Sequence, residues 1–317
     1  MRKYMTEFCL NVYCSYKTFI PIEHIDKVND GKQYNIYAIL TKPRVYIKQG
    51  SIGKLGDTLS FELYMFKNGK KEQIAIKDFY LGRDTEEIEF EISDNEEQIN
   101  ITINGKNEIP FRAEWFYQQY CYQNNIIYEL EVLYVGQAFG KNGEKTAQER
   151  LKNHSTLQKI LTYYFVNNRD KTLFALLMEM TDQHHLSMDG ITDVYQKSDE
   201  EDLAHMEQVL KAQHTYRQIV NISEAAIINY FKPEYNTNFI DNFPSDTHTG
   251  YKTYFDLDYN LLVVELDMEL NNFPQIVLYT KFNKLNNPWE FIEYKLYNDP
   301  NRTVMYDIFS DSNEDEQ

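Results

Sequence analysis

Short runs in which apolar and polar residues alternate dominate the first third of the chain, residues 1–112. The runs are NIYAIL, RVYIKQ, LSFELYMF, EIEFEI and QINITING, and turn-forming stretches such as KNGKK and SDNEE separate them. Alternation with β-branched and aromatic residues is typical of half-buried strands. The pattern predicts a β-rich, sandwich-like or barrel-like domain, and no group of residues in it points to chemistry.

The pattern changes over residues 113–240, which predict a mixed α/β domain. EWFYQQYCYQ, an Asn-Asn turn and IIYELEVLYVG together predict a β-hairpin. After a glycine-containing loop, Thr146 and Glu149 have the spacing of a capping box, which predicts a helix from Ala147. TLFALLMEM fits a strand or a buried helix, and the charged stretch at 198–202 predicts the start of a long helical region ending at Phe231.

Strand-like runs return over residues 241–310, and the acidic residues 311–317 predict a disordered tail. The fold class predicted for the whole chain is therefore α+β. Whether the two flanking β-rich regions pair with each other around the central domain stays open.

The chain has 317 residues and a formal net charge of −17, which argues against broad, non-specific binding of nucleic acid. The charge is uneven, since residues 134–171 contain seven Lys and Arg but three Asp and Glu. Three cysteines without the spacing of a zinc site, and no apolar run of membrane-spanning length, predict a cytoplasmic protein without membrane contact.

Three short pieces of the central domain carry candidate chemistry. Tyr134-Val135-Gly136 ends a predicted strand, and Arg150 and His154 lie four residues apart on a predicted helix. Glu224 begins an apolar helical stripe, and Asn236 follows a helix-ending proline twelve residues later. A charge at the head of an apolar stripe is costly unless it has a partner.

Each piece also has an ordinary structural explanation. Asn221 and Glu224 have the spacing of a capping box, so Glu224 could cap a helix, or it could form a buried ion pair with Arg150. Tyr134 could be a half-buried strand residue, and Asn236 could hold a turn.

Taken together, YVG, RLKNH and EAAIINYFKPEYN resemble the GIY-YIG nuclease family over residues 115–240. The long loop after YVG is similar to that of the family's restriction enzymes. The G-I-Y element itself is absent from this region, and its tyrosine could be Tyr117, Tyr120 or Tyr128.

The resemblance implies a small antiparallel sheet with helices and a phosphodiester-cleaving site. Glu224 would be the protein ligand of Mg²⁺ or Mn²⁺, because magnesium accepts sparse ligation by protein oxygens. The catalytic set would be Tyr134, Lys145, Arg150, His154, Glu224 and Asn236, and the nucleic-acid contacts would be Lys141, Lys152 and Lys159.

In those roles Tyr134 would act on the attacking water, and Arg150 would brace phosphate oxygens, since its charge is permanent. His154 would relay a proton near neutral pH. The sequence thus predicts a metal-dependent endonuclease acting on DNA, or alternatively on RNA, with a defence role against foreign DNA implied by the restriction-like loop. The alternative is a catalytically inactive scaffold that binds nucleic acid or protein, with the β-rich flanks available for a protein partner or a second copy.

Overall fold

A computed structural model describes residues 1–80, 88–107, 110–138, 150, 155–188 and 194–305 of the chain. Within these residues the fold is α+β, as predicted, and its centre is a seven-stranded sheet in the order β14-β11-β2-β12-β1-β13-β15. The strands of this sheet are β1 (Thr6–Pro21), β2 (Ile36–Pro43), β11 (Tyr128–Gln137), β12 (Lys171–Met188), β13 (Leu261–Asp267), β14 (Ile276–Tyr279) and β15 (Trp289–Lys295).

The remaining strands build two smaller sheets between β2 and β11. One contains β3 (Val45–Ile47), β4 (Gly53–Leu55), β5 (Thr58–Lys67) and β6 (Lys70–Tyr80), and the other contains β7 (Ile88–Ile92), β8 (Gln98–Ile103), β9 (Lys106–Asn107) and β10 (Phe111–Arg112). A 3₁₀ helix spans Ile22–Lys27, and the α-helices are α1 (Ala113–Gln123), α2 (Ser155–Asn167), α3 (Asp199–Lys211), α4 (Tyr216–Phe231) and α5 (Lys252–Asp256).

The central sheet draws its strands from all three segments of the predicted domain organisation. β1 and β2 come from 1–112, β11 and β12 from 113–240, and β13, β14 and β15 from 241–310. β1 pairs with β13 in parallel, so the flanking regions pair with each other, which was the possibility that the sequence left open. The positions 112 and 240 are therefore not boundaries between sheets.

The predicted β-hairpin before YVG is wrong in its first half, because EWFYQQYCYQ forms helix α1. The residues of α1 that pack into cores are Ala113, Trp115, Phe116, Tyr117, Tyr120 and Cys121. Apart from Trp115, their spacing of three and four residues is that of one helix face, which the density of aromatic residues had concealed. The antiparallel partner of β11 is instead β2.

The long helical region predicted from 198 to 231 consists of two helices. Ser198 and Glu201 form a capping box at the start of α3. At the start of α4, the backbone N–H of Thr215 donates to Gln218 Oε1 over 2.8 Å. Glu224 therefore lies in the middle of α4, and the prediction that it caps a helix with Asn221 is wrong.

Both faces of the central sheet are covered, and β2 shows the division most clearly. Ile36, Ala38 and Leu40 point into the core that contains α4, whereas Tyr37 and Ile39 point into the core that contains α2. Successive strand residues point to opposite faces. A tyrosine on β2 is therefore fixed on the α2 side of the sheet.

Candidate active site

Tyr37 on β2 lies directly opposite Gly136 on β11, and its ring packs against the ring of Tyr134. The two ring centroids are 6.1 Å apart and the planes are inclined by 41°. Because Tyr134 and Gly136 are two residues apart on one strand, both face the side of the sheet on which Tyr37 lies. The sheet thus brings YVG together with a tyrosine from the N-terminal segment.

The glycine of YVG leaves the space that this ring pair occupies. A Cβ at residue 136 would lie 2.7 Å from Tyr37 Oη and 2.8 Å from Tyr134 Cε1. Separations below 3.0 Å force neighbouring atoms to move. Gly136 is therefore required by the approach of two tyrosines, which is a more specific role than that of a turn glycine.

The two phenols act electrostatically on each other and are both affected by Arg150. Burial raises the pKa of Tyr37, and the positive charge of Arg150 opposes that rise. Burial and the nearby Glu224 raise the pKa of Tyr134, and the neighbouring hydroxyl of Tyr37 together with the charge of Arg150 lowers it. Tyr37 and Arg150 therefore favour the phenolate form of Tyr134, against the effect of burial.

Exposure distinguishes the two tyrosines. Tyr37 has 0% of its surface exposed, whereas Tyr134 is half-buried. Only Tyr134 can meet a substrate or an attacking water directly. Because Tyr37 is fully buried, it can influence a reaction only through its contact with Tyr134.

Glu224 on α4 provides the carboxylate of the site. Gln137 Nε2, at the end of β11, donates to Glu224 Oε2 over 2.5 Å. Burial raises the pKa of Glu224 to about 7, although the bond from Gln137 and the charge of Arg150 act in the opposite direction. The carboxylate is partly exposed, and it titrates near neutral pH, so a cation that binds it competes with a proton.

Arg150 is exposed and helical. It acts electrostatically on all three acidic groups: Tyr37, Tyr134 and Glu224. Since such effects fall with distance, the guanidinium lies among these three side chains. Arg150 is thus placed with the residues with which the sequence grouped it.

Asn236 fixes the end of β11 from the side. Its Oδ1 accepts from the N–H of Val135 over 2.9 Å, and its Nδ2 donates to the carbonyl of Val135 over 2.8 Å. The neighbouring N–H of Tyr235 donates to the carbonyl of Leu133 over 3.1 Å. The turn after α4 thus takes the place of a strand along this part of β11 and holds the residues on both sides of Tyr134.

Asn35 joins three elements just before Tyr37. Its Nδ2 donates to the carbonyl of Ala138 over 2.9 Å, and its Oδ1 accepts from the hydroxyl of Tyr216 over 2.9 Å. The start of β2, the end of β11 and the start of α4 are therefore tied to one buried side chain.

The tyrosines predicted as partners of Tyr134 lie elsewhere. Tyr117 and Tyr120 are on α1, and Tyr128 is buried and donates its hydroxyl to Glu114. Sequence reasoning missed Tyr37, although Asn35-Ile36-Tyr37 at the start of a strand-like run was the available signal. Its distance along the chain from YVG concealed it.

Of the other predicted residues, Lys159 is exposed on α2. Lys141, Lys145, Lys152, His154 and the capping box of Thr146 and Glu149 lie outside the described residues, as does the acidic tail. On α2, Leu157 is buried and Leu161 packs against the same core, which also contains Tyr37.

A divalent cation at this site would have Glu224 as its carboxylate ligand. Within the described part of the chain there is no group of three His, Cys, Asp or Glu side chains arranged to hold a metal ion. One partly exposed carboxylate is compatible with magnesium, which keeps several of its waters when bound to proteins. It does not suit a structural zinc site, which needs four protein ligands.

Comparison with known protein families, with curated proteins and with solved structures found no significant match for this chain. Across the residues that the structure describes, no helix is long and apolar enough to cross a membrane.

Proposed function

We propose that the chain is a metal-dependent endonuclease of the GIY-YIG type that hydrolyses phosphodiester bonds in DNA. The observation that carries the proposal is the approach of Tyr37 and Tyr134 over Gly136, beside Arg150 and Glu224. Asn35-Ile36-Tyr37 then corresponds to the family's G-I-Y strand, with asparagine in place of glycine. All the elements of the family pattern are thereby assigned, although the first lies far from the others in sequence.

In the proposed reaction Tyr134 takes a proton from the attacking water. Its pKa is raised, so the phenolate needs support. The neighbouring hydroxyl of Tyr37 and the charge of Arg150 provide part of that support. Tyr37 is accordingly a positioning residue, since it has no exposed surface with which to contact substrate.

The guanidinium of Arg150 neutralises charge on the phosphate and can bond two of its oxygens. Glu224 would hold the divalent cation, which supplies Lewis-acid stabilisation of the pentavalent phosphate and of the leaving oxygen. Gln137 orients this carboxylate through its 2.5 Å hydrogen bond. Asn236 maintains the geometry of β11 and does not contact the reacting atoms.

Cleavage of supercoiled plasmid in Mg²⁺ or Mn²⁺ tests the proposal. We expect the wild type to nick or linearise the plasmid, and Glu224→Gln and Arg150→Ala to lose at least about 100-fold in rate. Asn238→Ala is a matched control, because Asn238 is exposed and close to the site in sequence. Equal rates for all four proteins would refute the enzyme assignment.

The alternative is a scaffold that binds without cleaving. Asn35 in place of the family's glycine favours it, because its side chain is committed to two structural hydrogen bonds. The alternative predicts nucleic-acid or protein binding that survives Glu224→Gln, and no cleavage with either metal.

A further inference from the structure

Two lysines from distant elements converge on one carboxylate of β11. Lys67, at the end of β5, lies 3.5 Å from Glu129 Oε2, and Lys284, in the turn after β14, lies 2.6 Å from Glu129 Oε1. Lys70 is the cross-strand neighbour of Lys67 at the tip of the hairpin, and Lys281 lies in the same turn as Lys284. All four are exposed, and we call them the lysine surface: Lys67, Lys70, Lys281 and Lys284.

The lysine surface carries a positive charge, whereas the chain as a whole is acidic. Its carboxylates are Glu129, which two of its lysines share, and Glu72, which lies two residues after Lys70 on β6. Glu131, farther along β11, is paired with Lys171 at 2.8 Å. Four lysines against two carboxylates leave a local excess of positive charge in a chain with a net charge of −17.

Two of these lysines are available to a partner. Among the described residues, Lys70 and Lys281 form no ion pair, and Lys281 lies 4.9 Å from the ring of Phe282. Lys67 and Lys284 hold a single anionic group between them. That arrangement is one in which a phosphate could also be held.

β11 connects the lysine surface to the candidate active site. Glu131, Tyr134 and Gly136 pair with Thr41, Ile39 and Tyr37 on β2, so they share the face of the sheet on which Tyr37 lies. Glu129, two residues before Glu131, points to the same face. Glu129 and Tyr134 are five steps apart on β11, with a register shift between Val132 and Tyr134, so the distance between them is at most about 16 Å. Because each strand of B-form DNA carries a phosphate every ~3.4 Å of helix axis, this corresponds to about five base pairs.

We propose that the lysine surface binds the phosphates of a nucleic-acid duplex about five base pairs to one side of the bond placed at Tyr134. The inference rests on the proposed function for the position of the cleaved bond. It assigns the binding of flanking substrate to β5, β6 and the turn after β14, which lie outside the segment that resembles the nuclease family. Anionic phosphate is the chemistry recognised, and duplex DNA and duplex RNA are its two sources.

Binding by the full chain carrying Glu224→Gln tests this, because it requires no cleavage. The test variant adds Lys70→Gln and Lys281→Gln. The control adds Lys197→Gln and Lys252→Gln, which change the charge equally on α5 and just before α3, away from β11. Fluorescence anisotropy would give the affinity for labelled duplexes over a range of salt concentrations.

We expect the test variant to lose about two units from the slope of log affinity against log salt, and at least about tenfold in affinity. The control should match its parent. A duplex that ends about 3 base pairs beyond the cleaved bond should bind the parent and the test variant with the same affinity. A duplex that extends about 10 base pairs beyond it should bind the parent more tightly than the test variant. Matched DNA and RNA duplexes identify which source is bound.

An unchanged slope in the test variant, or no duplex binding by the parent, would refute the proposal that the lysine surface binds duplex phosphates. Preferential binding of polyglutamate over duplex would overturn nucleic acid as the partner. If the wild type cleaves but the slope is unchanged, the inference fails and the proposed function stands. If the slope falls but no cleavage occurs, the lysine surface stands and the proposed function fails.

Discussion

Tyr37 and Gly136 face each other across neighbouring strands, and the missing side chain of Gly136 is what lets the ring of Tyr37 reach Tyr134. This contact joins β2, from the N-terminal segment, to β11, from the central segment, at the candidate active site. It also explains why one tyrosine of the pair is fully buried whereas the other meets solvent.

The hydroxyl of Tyr37 should influence the pH dependence of cleavage, because it lowers the pKa of Tyr134. In Tyr37→Phe the phenolate of Tyr134 loses this neighbouring hydroxyl, so we expect cleavage at neutral pH to slow by about tenfold. The rise of rate with pH should move to higher pH, a shift that a purely structural role for Tyr37 would not produce. Single-turnover cleavage across pH measures both effects.

Tyr128→Phe is the control for that experiment, because Tyr128 bonds Glu114 and not Tyr134. Its pH profile should coincide with that of the wild type. Coincident profiles for Tyr37→Phe and the wild type would contradict the assigned link between the two phenols.

Gly136→Ala should force the tyrosine pair apart. The added Cβ would lie 2.7 Å from Tyr37 Oη, so we expect a loss of roughly 1–3 kcal/mol in the free energy of unfolding, together with loss of cleavage. Gly53→Ala is the matched control, since a Cβ there would meet its nearest atom at 4.0 Å. Denaturant unfolding compares the two, and equal stabilities would show that the space above Gly136 is not needed.

Glu224 should lower stability at alkaline pH. Its folded pKa of about 7 lies above the ordinary value of 4.5, so its contribution to stability is fully present below pH 4.5 and is lost as pH rises through 7. Without added metal, Glu224→Gln should therefore be more stable than the wild type at pH 8, by on the order of 2 kcal/mol, and similar to it near pH 4.5. Thermal unfolding at both pH values measures this.

Glu129→Gln provides a control of opposite sign. The hydrogen bond and charge of Lys284 lower the pKa of Glu129, so ionised Glu129 favours the folded state, and that contribution is present above its ordinary pKa. The substitution should reduce stability at pH 8. If Glu224→Gln also reduced stability at pH 8, ionised Glu224 would favour the folded state. That result would contradict the expected cost of burying its charge.

Asn236→Ala should loosen the end of β11. Two hydrogen bonds to Val135 are lost, and the strand N–H and carbonyl lose their partner, so we expect roughly 1–3 kcal/mol of destabilisation. Asn238→Ala, two residues on and exposed, should change stability by less than about 0.5 kcal/mol. Hydrogen exchange at the amide of Val135 would report the local loss directly, and unchanged protection there would contradict the role.

Several elements could be predicted from local pattern because local pattern causes them. The alternating run NIYAIL forms β2, and the apolar stripe after Glu224 is buried along α4 as Ile227, Ile228 and Phe231. Pro233 lies just beyond the end of that helix, since it lacks an N–H and clashes with the preceding turn. Helix α1 was predicted incorrectly because aromatic content was given more weight than spacing.

By itself the sequence determined the residue types of the site: a YVG strand end, Arg150, and a helix with Glu224 followed by Asn236. Only the tertiary structure brings Tyr37 to the candidate site, because strand pairing between β2 and β11 joins segments that no local pattern connects. It also decided that Glu224 titrates near neutral pH, since desolvation depends on the elements packed around the carboxylate. Local periodicity determines which residues share a face, whereas the order of the strands in the sheet determines which faces meet.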